Sequence, residues 1–205
     1  MQKGKFLTID GVEGAGKSTQ IDYIYNYLIK RGINLLITRE PGGTELGEKI
    51  RELLLSTETS SMHPDTELLL MFADRNEHIQ TKIMPALERG DWVLSDRFTD
   101  ASYAYQGGGR ELDFDRISVL DRWVLKGFVP DLTLLLDIDV EKGMSRVNSR
   151  GNKDRFEKEA TDFFNRVRAA YIQRSRMFPD RIKLIDASKT IEHTSQQIKN
   201  ILVDL

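Results

Sequence analysis

Cysteine is absent from the 205-residue chain. That excludes disulfides, a thiolate nucleophile and a cysteine zinc site. Histidine is scarce, with only His63, His78 and His193, too far apart in sequence to show metal-ligand spacing. Long apolar runs are missing too. No stretch approaches the roughly 20 apolar residues that span a bilayer, and the early "FLTI" is too short for a signal h-region and runs into Asp10. These absences imply a cytoplasmic chain with no membrane partner. Neither sign of charge dominates: 30 basic against 32 acidic residues give a formal −2. That balance argues against a general nucleic-acid binder and leaves room for local arginine clusters that hold small phosphates. Repeats, low-complexity tracts and linkers are also lacking, so residues 1–205 are expected to form one domain.

What is present is alternation. Short apolar runs at 6–9, 35–38, 92–95, 132–138 and 182–185 suit strands buried on both faces of a parallel sheet. Between them lie helical patterns: 17–30, with Ile21, Ile24, Leu28 and Tyr25 on one face, and "ELGEKIRELLL", with Leu46, Ile50, Leu53 and Leu54 in helical spacing. A long candidate at 65–88 is expected to kink at Pro85, and 113–126, 157–176 and 190–203 read as further helices. The order implies an α/β fold, a five-stranded parallel sheet with helices on both faces. Ligands of such sheets bind at the carboxyl ends of the strands, where "DGVEGAGKS", "REPGG" and "SDRF" should converge.

The first of these has the P-loop spacing, Gly11, four residues, then Gly16-Lys17-Ser18. Glycines let the backbone turn its N–H groups onto phosphate oxygens at a helix N-terminus. Lys17 would reach the outer phosphates and the Ser18 hydroxyl would ligate Mg²⁺, with Asp96 after the third run as a carboxylate oriented to the metal. No guanine-reading NKxD and no transporter "SGG" is present. Instead, arginines recur near strand ends, which suits a donor and an acceptor that both carry phosphate.

In order, "GVEGAGKSTQ", "TREPGGT", "LLLMFADRNEH", "SDRF", "SYAYQGGGR", "PDLTLLLDI" and "RGNKDRFE" resemble the bacterial thymidylate kinases, which phosphorylate dTMP to dTDP with ATP. The likeness runs from about residue 5 to about residue 188. It implies ATP with Mg²⁺, a P-loop fold, a lid over about 147–158 and a homodimer formed through apolar helix faces such as 65–88. ATP would lie on Gly11, Val12, Glu13, Gly14, Ala15, Gly16, Lys17, Ser18 and Thr19, with Arg146 near adenine. Catalysis would rest on Lys17, Arg97, Glu13 and a lid arginine, Arg150 as first choice and Arg155 as second. For dTMP, the resemblance assigns Arg51 and Arg97 to the phosphate, Glu13 to the sugar 3′-OH or acceptor phosphate, and Tyr105 to the deoxyribose. Phe72 would stack on thymine, Arg75 would bond its carbonyl, Ser102 and Gln106 would read its polar edge, and Pro41 would line the pocket. Periodicity alone makes Phe72 a core residue, and Met71 is the alternative at the stacking site.

Two departures stand out. Some of these kinases carry an arginine where this chain has Gly14, so the likeness is to the subclass whose lid supplies it; and Phe98 replaces a frequent Tyr or His. A methyl group is worth only about 1–3 kcal/mol in an apolar pocket, so some turnover of dUMP is expected. The alternatives are a deoxynucleoside kinase and a P-loop protein that binds ATP without turnover.

Overall fold

The short apolar runs pair as one sheet. In the computed structural model, which describes residues 4–59, 62–148, 154–203 and 205, β1 (Phe6–Asp10), β2 (Leu35–Arg39), β3 (Trp92–Asp96), β4 (Leu132–Asp137) and β5 (Ile182–Asp186) run parallel in the order β2-β3-β1-β4-β5. The central strand β1 is buried at every position, as a strand covered on both faces should be. Phe6 and Val93 enter an apolar cluster with Leu68, Phe72 and Ile117, while Leu7, Ile9 and Leu94 enter a larger one with Ile24, Phe164 and Ile198. Successive side chains of a strand point to opposite faces, so the two clusters flank the sheet.

The helices are α1 (Lys17–Ile29), α2 (Glu45–Leu55), α3 (Pro64–His78), α4 (Met84–Glu88), α5 (Thr99–Ser102), α6 (Phe114–Leu125), α7 (Val140–Asn148), α8 (Thr161–Met177) and α9 (Ile191–Leu202). Thr44 caps α2 by accepting from the Gly47 N–H at 2.9 Å, and Thr190 caps α9 in the same way. The long helix breaks before its proline: Ile79–Ile83 is a π-helical turn, and Pro85 then sits in the first turn of α4, where its missing N–H costs nothing. Three residues expected on buried faces are exposed, Tyr25 at 40%, Leu46 at 49% and Leu53 at 51%. The helix expected from 157 starts at Thr161, because Asp154 and Glu157 bond each other's backbone N–H in a turn of their own.

Register positions the site. Asp96 lies opposite both Ile9 and Arg39, so β1, β2 and β3 end side by side. The chain after each of them opens onto one crevice.

Candidate active site

The loop after β1 turns through Gly11 (φ 144°), Gly14 (φ 72°) and Gly16 (φ 90°) into α1. Only glycine takes such angles without strain. At Gly14 there is also no room: a Cβ would run into the carbonyl of Gly143 on α7, which explains in space why no arginine stands there. Lys17 is buried and donates back to the carbonyls of Gly11 at 3.3 Å and Val12 at 3.5 Å. Burial and the neighbouring Arg97 hold its ammonium below the ordinary value. Ser18 and Thr19 are exposed at the start of α1.

Arg97 follows β3 with a positive φ of 71°. Its guanidinium donates to the Gly11 carbonyl at 3.0 Å, the Tyr171 hydroxyl at 3.1 Å and Glu13 Oε1 at 2.7 Å, and lies 4.7 Å from the Tyr105 ring centre. The Tyr105 hydroxyl donates to the same Glu13 oxygen at 2.9 Å. Burial opposes the Glu13 charge, but Arg97, Lys17 and Tyr105 outweigh it and hold the carboxyl below its usual range. Glu13 is thus an ionised partner rather than a proton store.

Beside it, Asp96 has a buried Oδ1 with no hydrogen-bond partner. Asp10 accepts from the Tyr171 hydroxyl at 2.9 Å and also leaves a buried oxygen unpaired. Burial, aided by Asp100, pushes the Asp10 carboxyl up to about 7. Asp96 and the exposed Ser18 line the same cavity, and carboxylate and hydroxyl oxygens are the hard donors a Mg²⁺ ion takes. Among the described residues no group of three acidic or histidine side chains could hold a metal unaided. The site therefore fits a cation that keeps water and phosphate oxygens as its other ligands.

A cavity of about 240 Å³ is lined by P-loop residues, among them Lys17 and Ser18, together with Pro41, Arg51, Asp96, Arg97, Asp154, Phe156 and Glu157. Arg51 donates to the Pro41 carbonyl at 2.8 Å. Arg75, Ser102, Tyr105 and Gln106 also line it. Arg75 is almost wholly buried and donates to Glu40 at 2.8 Å, to the Ser102 hydroxyl at 3.1 Å and to the Phe98 carbonyl at 3.1 Å. Glu40 in turn accepts from His78 at 3.0 Å, whose other ring nitrogen meets Thr38 at 2.6 Å. Three of the roughly five N–H groups of Arg75 are committed, and the rest have no acceptor among the described residues.

Two of the residues expected at the site do not line the cavity. Phe72 does not line the cavity. It is buried in the apolar cluster beneath Arg75, 4.7 Å from that guanidinium, and Met71 lines the cavity in its stead. Arg155 does not line the cavity: it donates to Glu67 at 2.7 Å and to the Leu54 carbonyl at 2.8 Å, while its neighbours Asp154, Phe156 and Glu157 do line it. Arg146 reaches the Gly14 carbonyl at 3.1 Å. Arg150 lies outside the described residues. The sequence reading missed Glu40, which sits inside "TREPGG" and had a signal there. It also missed Tyr171, whose approach from α8 had none.

A thymidylate kinase family model matches residues 9–198. The chain is 71% identical over 202 residues to the thymidylate kinase of Ruthia magnifica, with 98% of each chain covered. It is 48% identical over 203 residues to that of Nitrosospira multiformis, covering 99% of this chain and 98% of that one. Its fold is similar to the crystal structure of thymidylate kinase from Ehrlichia chaffeensis, with a TM-score of 0.81 at 29% identity, over 98% of this chain and 99% of that one.

Proposed function

The chain belongs to the thymidylate kinase family, and on that premise we propose that one cleft carries the whole reaction, moving the terminal phosphoryl group of ATP to a phosphate oxygen of dTMP. Membership of the family makes it a phosphotransferase. The observation that supports the residue-level reading is the lining of the cavity, where Lys17, Asp96 and Arg97 share one space with Met71, Arg75, Ser102 and Gln106. Phosphate chemistry and base chemistry meet there.

The backbone from Gly11 to Thr19 wraps the donor phosphates. Lys17 exchanges two long carbonyl contacts for a phosphate oxygen, and Arg97 with Arg51 holds the acceptor phosphate. That phosphate is already ionised at neutral pH, so no strong base is needed, and catalysis rests on alignment and charge neutralisation. Mg²⁺ when bound supplies Lewis-acid neutralisation of phosphate charge; Asp96 and Ser18 would hold it, with Asp10 behind them. Glu13 keeps Arg97 aimed and, with Tyr105, borders the sugar. Met71 packs on the base, Pro41 adds to the wall, and Arg75 bonds a base carbonyl. The lid arginine is assigned to Arg150, since Arg155 is committed to Glu67.

Lys17→Met tests the donor end: kcat is expected to fall by roughly 10²–10³ with dTMP affinity by calorimetry unchanged. Retention of kcat would overturn the assignment. A second copy of the chain is assigned to the face of α3 and α6, which expose Leu69 at 55%, Val119 at 55% and Trp123 at 71%. Sedimentation at twice the chain mass is the expected result, and a monomer would refute it. No described helix is long and apolar enough to cross a membrane, and the cysteine-free composition suits the cytoplasm.

A further inference from the structure

Glu67 takes no part in the chemistry above, yet it is fully buried on α3 one helical turn before Met71. Three donors converge on its carboxylate. Gln106 Nε2 reaches Oε1 at 2.8 Å, while Arg155 Nη1 at 2.7 Å and Arg110 Nε at 3.2 Å reach Oε2. A carboxylate between two guanidiniums offers only lone pairs, so the amide of Gln106 has no choice of orientation: its NH₂ must point at Glu67. Its Oε1 accepts no hydrogen bond among the described residues and is not one of the buried atoms left without a partner. Gln106 lines the cavity, and Oε1 is the atom it has to offer there.

What this oxygen selects follows from its surroundings. Ser102 lies one helical turn before Gln106 and bonds Arg75, whose remaining N–H groups are donors. The polar wall therefore presents a donor from Arg75 and an acceptor from Gln106. Thymine and uracil offer the complement, a ring N–H flanked by carbonyls. Cytosine offers a bare ring nitrogen and an amino group, which would set acceptor against acceptor and donor against donor.

We propose that Glu67 is a specificity-determining positioning residue: by locking the Gln106 amide with its oxygen toward the cavity, it selects an acceptor nucleotide with an imide edge over an aminopyrimidine. The inference rests on the monophosphate-kinase reading above. Its test compares kcat/KM for dTMP, dUMP and dCMP, by ADP release, in the wild-type protein, Glu67→Gln, Gln106→Met and the double variant. With a neutral amide at 67, Gln106 can turn either way. Glu67→Gln is then expected to lower dTMP and dUMP about tenfold without lowering dCMP, so that the dTMP:dCMP ratio contracts. Gln106→Met should contract the ratio as well, and adding Glu67→Gln to it should contract it no further, because one residue acts through the other. Equal losses on all three acceptors would mean that Glu67 only anchors Arg110 and Arg155, and would overturn the proposal. So would an unchanged ratio in Gln106→Met, a variant that leaves Glu67 and both arginines in place and serves even where Glu67→Gln does not fold. Failure of the wild-type protein to turn over any monophosphate would instead overturn the kinase reading itself.

Discussion

Met71 and Phe72 are neighbours on α3 with different surroundings. Phe72 is 2% exposed within the core, whereas Met71 borders the cavity. Removing a buried phenyl ring costs about 3–5 kcal/mol, so Phe72→Ala is expected to lower unfolding free energy by that order. Met71→Ala should instead raise KM for dTMP about tenfold while changing stability less. Urea unfolding and steady-state kinetics on the two variants check this, and the reverse pattern would return the base-packing role to Phe72. The signal for Met71 was in the sequence: it stands four residues before Arg75, and such pairs share a helix face. An aromatic ring next door was the stronger lure. That the P-loop and Asp96 border one cavity was legible, since the loop has its spacing and Asp96 ends an apolar run, whereas Arg97 was pointed to only by the family resemblance. The burial of Arg155 was not, since it depends on Glu67, 88 residues away.

At the scale of elements, the glycines of "YAYQGGG" have a packing reason. Tyr103–Gly109 forms a π-helical segment pressed against α8. A Cβ on Gly108 would lie 2.7 Å from that of Ala170 and 2.8 Å from the Arg166 carbonyl. Gly108→Ala should therefore push α8 outward, cost about 1–3 kcal/mol and weaken dTMP binding through Tyr105 and Gln106. A variant with unchanged melting temperature and KM would contradict this close approach. The five strands were readable because continuous apolar runs of that length have few other uses in such a chain. The helix α7 was not. Gly143 interrupts its pattern as a breaker would, and the reason for the glycine is three-dimensional: a Cβ there would lie 2.5 Å from the Glu13 carbonyl. Two glycines, 14 and 143, let a helix and the phosphate loop touch.

Across the whole molecule, Asp100 ties distant parts together. It sits on α5, 1% exposed, and binds Arg174 of α8 at 2.8 Å and Arg181 before β5 at 2.6 Å. Burial opposes its charge, yet Arg181 and Arg174 outweigh that and hold the carboxyl below its ordinary 3.8. A depressed folded value means stability that is present above 3.8 and lost as pH falls through the lower folded value. Asp100→Asn breaks a buried pair and is expected to cost about 3–5 kcal/mol near neutral pH, with the gap to wild type narrowing in strong acid. Urea unfolding at both pH values checks it; a gap that stays constant would mean that the charge carries no weight.

We assign to this fold a P-loop joined to a pocket for a pyrimidine nucleotide that already bears a phosphate. The decisive measurement is coupled ADP release from ATP-Mg²⁺, with dTMP, dUMP, dCMP, AMP and thymidine supplied in parallel. Fast release with dTMP, slower release with dUMP and none with thymidine, which gives Arg51 and Arg97 nothing to hold, is the expected result. Release with thymidine in place of dTMP, or no release with any acceptor despite ATP binding, would contradict it.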